Sequence, residues 1–240
     1  MYLHEIFPSF QGEGLLLGVR QVFLRLSGCN LACDYCDTTE ARIKSDTFTI
    51  PDAEGNKQTL PNPIDVEETA RLVGELWKPS MHSVSLTGGE PLLQAEELTA
   101  LLPLLKQQGM PIYLETNGTR YEELKILLPH IDWIAMDIKL PSSQGGKDLF
   151  AEHVRFLEIA AIANIFLKMV ITPESGEDEL SKMCAFLSRE SRSVTLVLQP
   201  ATSADGSIAL DRAIRLHGIA SAYFNDVRVI PQMHRLWGIK

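Results

Sequence analysis

The sequence lacks several features that mark particular classes of protein. Its 240 residues include 22 lysines and arginines against 31 aspartates and glutamates, a formal net charge of −9. This shortage of positive charge argues against a general phosphate-binding surface, so we expect no nucleic-acid partner. No apolar run approaches the length of a membrane span, and the N-terminus has no charged-then-apolar signal sequence. We therefore expect a cytoplasmic protein without a membrane partner.

Cysteine is also scarce, and three of the four cysteines fall within residues 29–36. Cys29, Cys33 and Cys36 have the spacing C-x3-C-x2-C, directly after the strand-like run 20–26. Three thiols cannot all pair as disulfides, and their clustering favours a reducing compartment. Cys184 instead falls at a core position of a helical pattern.

Two kinds of metal site could use these three thiols as ligands. Structural zinc usually has four ligands, and no fourth cysteine or histidine stands nearby in the sequence. A 4Fe–4S cluster held by three thiolates would keep one iron open to an outside ligand. A zinc site completed by a distant histidine, or three unconnected buried thiols, stay as alternatives.

Strand and helix patterns alternate from residue 65 onward, about six times, which favours a parallel sheet with right-handed crossovers. We predict an α/β fold in a single domain, residues 1–240, with a small insertion near 41–62 and a lead-in over residues 1–18. Predicted strands cover residues 20–26, 82–86, 111–114, 132–136, 164–171, 193–198 and 226–230. Polar residues collect after the strands, at 29–36, 87–90, 115–117, 137–139, 172 and 199. In a barrel these strand ends form one mouth, where active sites are built.

Two local patterns predict irregular features. Leu98, Leu101, Leu102 and Leu105 follow the helical i, i+3, i+4, i+7 spacing, but Pro103 predicts a kink or an early end. Residues 47–50 and 57–60 flank a polar turn and predict a small hairpin or an irregular insertion.

Three polar positions allow a functional or a structural interpretation. Arg25 lies in a strand with apolar neighbours, so its guanidinium binds either a substrate acid or a structural carboxylate. The glycines around Glu13 either let the backbone approach a ligand or form a plain turn. Asp37 and Thr38 either serve a hard cation such as magnesium or form a loop-capping pair.

The cysteine spacing resembles the signature of the radical S-adenosylmethionine superfamily, and TGGEP at residues 87–91 resembles its glycine-rich motif. Within that superfamily the chain is similar to the 7-carboxy-7-deazaguanine synthases. The similarity rests on FQGEG at 10–14, FLRLSGC at 23–29, CDT at 36–38 and QMH at 232–234. One departure is Asp137-Ile138-Lys139, where several members carry Ser-Pro-Lys. The resemblance implies a partial (β/α)6 barrel.

The resemblance also implies site residues, with no catalytic side chain beyond the cluster and the cofactor. The cluster ligands would be Cys29, Cys33 and Cys36, and Thr38 would contact Mg²⁺. S-adenosylmethionine would contact Tyr35, Asp37, Gly89, Glu90, Asp137, Lys139 and Gln199. The substrate would contact Phe10, Gln11, Gly12, Glu13, Arg25, Thr87, His234 and Lys240, the last through the terminal carboxylate. A surface position is the alternative for His234.

The implied activity is that of a lyase of queuosine and 7-deazapurine biosynthesis. It contracts the ring of 6-carboxy-5,6,7,8-tetrahydropterin to give 7-carboxy-7-deazaguanine, with loss of ammonia. Implied partners are the pterin substrate, an electron donor such as flavodoxin or ferredoxin, and a second copy in a homodimer. The rival functions are a glycyl-radical-enzyme activase and a non-catalytic iron–sulfur or zinc-binding protein.

Overall fold

A ten-stranded sheet forms the framework of the computed structural model, which describes residues 1–191, 193–202 and 210–239. The strands are β1 (Leu3–Phe10), β2 (Arg20–Leu26), β3 (Thr47–Pro51), β4 (Lys57–Pro61), β5 (Ser83–Gly88), β6 (Ile112–Thr116), β7 (Trp133–Ile138), β8 (Asn164–Ile171), β9 (Leu196–Pro200) and β10 (Val227–Val229). The helices are α1 (Val66–Leu76), α2 (Ala95–Gln107), α3 (Tyr121–Leu127), α4 (Phe150–Ala160), α5 (Glu177–Ser191), α6 (Leu210–Ala220) and α7 (Met233–Trp237).

The sheet is open, in the order β10-β9-β8-β7-β6-β5-β2-β1-β3-β4. Strands β2 and β5 to β10 run parallel, with a helix between most consecutive pairs. Its edge strands are β4 and β10, so the barrel is partial and the predicted fold class is confirmed. Among the described helices, none is both long and apolar enough to cross a bilayer.

The lead-in predicted over residues 1–18 is wrong for its first half, which forms β1. This strand pairs antiparallel with β2, with Ile6 opposite Leu24 and Phe7 opposite Phe23. Leu3 and Ile6 are fully buried, so the core selects this strand although its alternation is interrupted. The predicted insertion forms the antiparallel hairpin β3–β4 beside β1.

Pro103 does not end its helix, because α2 continues from Ala95 to Gln107. Proline in a helix interior costs about 3 kcal/mol, and each fully buried leucine contributes roughly 1.5–3 kcal/mol. The four leucines at 98, 101, 102 and 105 are all completely buried, so their packing outweighs the proline. Cys184 is also completely buried, on α5, as expected for a core residue.

The two faces of the sheet have different roles. The large apolar cluster packs between the sheet and the surrounding helices. A second, small cluster on the inner face contains Tyr113, Ala135, Phe166 and Val197. Three of these residues, Tyr113, Ala135 and Phe166, line a cavity at the C-terminal ends of the parallel strands.

Candidate active site

A cavity of about 490 Å³ opens at the C-terminal ends of the parallel strands. Six strands supply its polar wall. Side chains alternate along a strand, so residues two positions apart point to the same face. On each of these strands the polar residue comes two positions after an inward-facing one. The inward-facing positions are Phe23, Ser85, Tyr113, Ala135, Phe166 and Val197, of which Phe23, Tyr113, Ala135 and Phe166 line the cavity. The polar residues above them are Arg25, Thr87, Glu115, Asp137, Lys168 and Gln199, and all six line the cavity.

The cysteine loop is fixed by backbone hydrogen bonds to the loop after β5. Gly89 N–H donates to Leu26 O (3.1 Å), and Glu90 N–H donates to Gly28 O (2.8 Å). Gly88 has a φ of +121°, and a Cβ at Gly89 would overlap the carbonyl of Gly28. The two glycines are therefore required for the β5 loop to pack against the start of the cysteine loop.

Cys29, Cys33 and Cys36 are free thiols that line the same cavity. Within the described residues, the one group of three ligand atoms that all lie within 4.8 Å of one another is Glu13, Asp37 and His234. The three sulfurs do not form such a group among the described side chains. A 4Fe–4S cluster takes one iron for each thiolate, so its three cysteines need not meet at a single ion.

Four charged residues, which we call the charged bridge, cross the cavity: Glu13, Lys168, Asp137 and Lys139. Lys168 Nζ forms ion pairs with Glu13 Oε2 and, at 3.2 Å, with Asp137 Oδ2. Lys139 Nζ lies 2.9 Å from the same Asp137 oxygen and donates to the hydroxyl of Tyr35 at 3.1 Å. Tyr35 stands between two of the cysteines, so the bridge runs from the glycine-rich N-terminal motif to the cysteine loop.

Electrostatics keep all four groups of the charged bridge ionised. Burial acts to raise the pKa of Asp137, but Lys139 and Lys168 outweigh it and hold that pKa below its usual value. Burial likewise opposes ionisation of Glu13, whose pKa is nevertheless lowered, chiefly by Lys168. The pKa values of both lysines are raised, because the charge of Asp137 outweighs their desolvation.

Two buried acceptors of the cavity have no partner in the described part of the chain. They are Asp137 Oδ1 and Gln199 Oε1. A buried acceptor without a donor is costly, so such atoms point to a ligand that brings N–H or O–H groups. The amino group and ribose hydroxyls of S-adenosylmethionine are donors of this kind, and the residues present fit that cofactor.

Glu115 and Gln11 form a hydrogen-bonded group on the cavity wall. Gln11 Nε2 donates to Glu115 Oε1 (2.8 Å) and to Gln21 Oε1 (3.1 Å), and its own Oε1 accepts from Glu13 N–H (3.0 Å). Thr87 Oγ1 donates to the second oxygen of Glu115 at 3.1 Å. Both N–H groups of the Gln11 amide are therefore used inside the protein, and Glu115 is the carboxylate that these donors orient.

Arg25 pairs with a structural carboxylate and also lines the cavity. Its Nε donates to Glu5 Oε1 at 3.0 Å, and its guanidinium lies 5.6 Å from the ring centre of Phe7. The side chain is 14% exposed and lines the cavity. A structural carboxylate thus holds a guanidinium at the cavity wall.

The C-terminal segment closes one side of the cavity. Met233 N–H donates to Gly12 O at 2.9 Å, and a Cβ at Gly12 would lie 2.5 Å from His234 Cβ. His234 is 16% exposed, with Nε2 3.4 Å from Asp37 Oδ2, so it is not a surface histidine. Burial acts to raise the pKa of Asp37, but the hydrogen bond and charge of His234 hold it well below its usual range. Thr38 Oγ1 donates to Asp37 Oδ1 at 3.1 Å.

Known proteins match this chain over most of its length. The profile of the Radical SAM superfamily matches residues 24–187. A 7-carboxy-7-deazaguanine synthase of Geobacter sulfurreducens is 41% identical over 244 residues, covering 98% of this chain and 96% of the relative. This chain belongs to the 7-carboxy-7-deazaguanine synthase family. A synthase of that name from Methanopyrus kandleri is 34% identical, over 98% of this chain and 92% of the relative.

Solved structures support the fold of this synthase-family chain. QueE from Escherichia coli superposes with a TM-score of 0.65 at 23% identity, covering 97% of this chain and 94% of that one. Archaeal TYW1 superposes with a TM-score of 0.55 at 13% identity, over 85% and 72% of the two chains. At these identities the likeness concerns the fold alone.

Most residues that the family resemblance implied lie together in this one cavity. The cysteines, Thr38, Tyr35, Asp37, Gly89, Asp137, Lys139 and Gln199 line it, as do Phe10, Gln11, Gly12, Glu13, Arg25, Thr87 and His234. Lys240 lies outside the described residues. Their individual roles stay predictions.

Glu90 is the exception and does not line the cavity. Its carboxylate accepts hydrogen bonds from Leu92 N–H (3.1 Å), Asn117 N–H (2.8 Å) and Thr116 Oγ1 (2.8 Å). Burial raises the pKa of Glu90 to about 7 despite these donors. The structure therefore shows Glu90 supporting the loops after β5 and β6, and its role as a cofactor contact stays a prediction.

The sequence patterns assign no role to two residues of the cavity wall, Glu115 and Lys168. Glu115 is predicted only to lie at the strand ends that form the mouth, and Lys168 only to lie on the strand at 164–171. The period-2 alternation would have found them, because each comes two positions after an inward-facing aromatic residue, Tyr113 or Phe166.

Proposed function

We propose that this protein converts 6-carboxy-5,6,7,8-tetrahydropterin to 7-carboxy-7-deazaguanine, with loss of ammonia, as a step towards queuosine and related 7-deazapurines. The observation that carries the proposal is the single cavity that holds both halves of such a reaction. Cys29, Cys33 and Cys36 line it together with Arg25 and Thr87. The named synthases that are 41% and 34% identical support the same reaction.

The three cysteines would hold a 4Fe–4S cluster, with S-adenosylmethionine beside it. When bound, this pair supplies one-electron reductive cleavage and thereby abstraction of a hydrogen atom from the substrate. The chain's own contribution is to hold and orient. Asp137 Oδ1 and Gln199 Oε1 would accept hydrogen bonds from the cofactor's donors. Tyr35, Asp37, Gly89, Glu90 and Lys139 complete the cofactor residues of this proposal.

Arg25 would bind the 6-carboxylate of the substrate. The ion pair with Glu5 uses Nε, so the terminal guanidinium nitrogens can form the paired hydrogen bonds that suit a carboxylate. Because Glu5 and the ring of Phe7 fix the guanidinium, little side-chain entropy is lost when the substrate binds. Phe10, Gly12, Thr87 and His234 would form the rest of the substrate wall, with the terminal carboxylate of Lys240.

The amino and amide N–H groups of the pterin would donate hydrogen bonds to carboxylate and amide oxygens of the pocket. We propose that Gln11 and Glu13 contact these groups, together with Glu115. The amide nitrogen of Gln11 is bonded to Gln21 and Glu115, while its oxygen accepts one hydrogen bond from Glu13 N–H and keeps a second lone pair for the substrate. Leaving such a buried acceptor unpaired costs far more than a missing methylene, which gives the pocket its specificity.

Magnesium is proposed at Thr38, where Asp37 adds a carboxylate to the hydroxyl. Hard oxygen donors of this kind suit Mg²⁺, which would help to orient the substrate carboxylate. The Thr38 hydroxyl donates its hydrogen to Asp37 in this structure. Its oxygen lone pairs would have to face the ion when magnesium binds.

The domain organisation, electron donor, oligomeric state and compartment are also part of the proposal. We infer one catalytic domain, since the cavity takes residues from His4 to Ile239. An electron donor such as flavodoxin or ferredoxin would reduce the cluster, and the chain would act as a homodimer. Three thiolate ligands in one loop favour the reducing cytoplasm.

Anaerobic turnover tests the function directly. Reconstituted enzyme is given dithionite, Mg²⁺, S-adenosylmethionine and 6-carboxytetrahydropterin, and product masses are followed. We expect 7-carboxy-7-deazaguanine and ammonia from the natural chain and neither from Cys33→Ala. Appearance of 5′-deoxyadenosine alone would refute the substrate, and an intact cluster without either product would favour a non-catalytic iron–sulfur protein.

A binding measurement tests Arg25 separately. Arg25→Ala should weaken binding of 6-carboxypterin by about 100-fold, the loss of a charge-assisted pair of roughly 3 kcal/mol. Pterin without the carboxyl group serves as the matched ligand, and its affinity should hardly change. An equal loss for both ligands would assign Arg25 to the shape of the pocket instead.

A further inference from the structure

We propose that Lys168 is a positioning residue shared by both ligands of the cavity: its one ammonium group sets Glu13 for the pterin and Asp137 for S-adenosylmethionine. The inference rests on the proposed function, which assigns those carboxylates to the two ligands. It adds a residue that no family motif pointed to.

The position of Lys168 in the sheet makes it the centre of the charged bridge. It lies on β8 in direct register with Asp137 on β7, so both side chains point to the same face. The residue is 11% exposed, and its ammonium pairs with Glu13 on one side and Asp137 on the other. Glu13 lies 155 positions away in sequence, so this pair joins the N-terminal motif to the barrel wall.

The other ammonium group of the charged bridge is already engaged. Lys139 is already committed to Asp137 Oδ2 and to the hydroxyl of Tyr35. Without Lys168, Glu13 would keep only Gln232 Nε2 at 3.3 Å and the more distant His234 at 3.7 Å. Glu13 would then be a poorly paired buried carboxylate, free to turn away from the pterin.

Lys168 also determines which oxygen of Asp137 is offered to a ligand. Both ammonium groups of the charged bridge contact Oδ2, and the buried Oδ1 has no described partner. Two cations on one oxygen fix the rotation of the carboxylate, so the other oxygen is held towards the cavity. With one cation removed, this orientation is no longer enforced from both sides.

A simple charge effect predicts a different outcome from positioning. S-adenosylmethionine has a net positive charge and 6-carboxypterin a net negative one. Loss of a lysine charge would by itself tighten the first and weaken the second. Loss of positioning weakens both, so the sign of the change for S-adenosylmethionine separates the two explanations.

The test measures two dissociation constants by isothermal titration on the anaerobically reconstituted enzyme, without reductant, so that no turnover occurs. S-adenosylmethionine and 6-carboxypterin are the probes, and Lys168→Met is the main variant. Glu13→Gln and Asp137→Asn serve as one-sided comparisons. Lys125→Met, on the exposed face of α3, removes the same charge away from the cavity.

We expect Lys168→Met to raise both dissociation constants by tenfold or more, in line with the loss of hydrogen bonds to charged groups. Glu13→Gln should weaken only the pterin, Asp137→Asn only S-adenosylmethionine, and Lys125→Met neither. If Lys168→Met does not fold, Lys168→Arg keeps the charge but not the geometry, and it too should weaken both ligands.

Three results would overturn the inference. Unchanged constants in a folded Lys168 variant, or tighter S-adenosylmethionine with weaker pterin, would remove the positioning role while leaving the proposed function intact. A natural chain that binds neither probe would overturn the proposed function, and the assignment of Lys168 with it.

Discussion

Mild acid should destabilise this protein through His153, a fully buried residue of α4. Its Nε2 lies 3.1 Å from the backbone oxygen of Asn117, and its buried Nδ1 has no partner within the described residues. Burial lowers the pKa of His153 from 6.5 to about 4, outweighing the hydrogen bond to Asn117. A second proton would therefore have no acceptor, and the folded state keeps the ring neutral.

The sign and size of the change in unfolding free energy follow from proton linkage. Between pH 6.5 and 4 the unfolded chain takes up a proton that the folded chain does not. The free energy of unfolding therefore has its full value above this window and decreases as pH falls through it. The full effect is about 3 kcal/mol, and about 2 kcal/mol of it is lost between pH 7.5 and 5. For a chain of this size that corresponds to roughly 4–8 °C in melting temperature.

Urea unfolding of the reduced, cluster-free protein at several pH values measures this loss. His153→Gln is the matched variant, because its amide can still donate to Asn117 O but does not titrate. The carboxylates titrate equally in both proteins, so the difference between their pH profiles isolates the histidine. Parallel profiles for the two proteins between pH 7.5 and 5 would refute the reasoning.

Four further substitutions test the construction of the cavity and its separation from the core. Gly12→Ala should lower kcat/KM for the pterin at least tenfold, since the new Cβ would lie 2.5 Å from His234 Cβ; unchanged kinetics would show that the C-terminal segment adapts. Gly89→Ala should reduce iron content after reconstitution, because its Cβ would overlap the backbone that leads into the cysteine loop; full iron loading would contradict this. Cys33→Ala should abolish cluster absorbance, whereas the buried Cys184→Ala should keep it and lose only about 1–2 kcal/mol of stability; equal losses would contradict the separation of these thiols.

Local patterns were sufficient for the framework of the fold. The run Asn164–Ile171 was predicted with the bounds that the structure has, since a buried parallel strand leaves a continuous apolar signal. The first strand was missed because its polar residues interrupt the alternation, and its partner β2 supplies the reason for its extended form. The helix through Pro103 was misjudged because a local rule cannot include the burial of four leucines.

The sequence was also sufficient to predict the cluster loop. Its three ligands lie within eight residues, so no contact with a distant part of the chain is needed to recognise them. The family motifs extended this to most of the cavity wall. They did not indicate that Glu90 also accepts hydrogen bonds from the loop after β6, which only the structure shows.

Pairings between distant residues were decided only by the tertiary structure. Arg25 meets Glu5, Gln11 meets Glu115, and Lys168 meets Glu13 through strand register and the curvature of the sheet. Sequence reasoning could name the chemistry of each side chain but not its partner, since a charge in a strand is compatible with many partners. The sequence by itself thus determined which cofactor chemistry the chain can hold. The folded sheet decided which carboxylates are left to bind ligands and which are occupied by the protein itself.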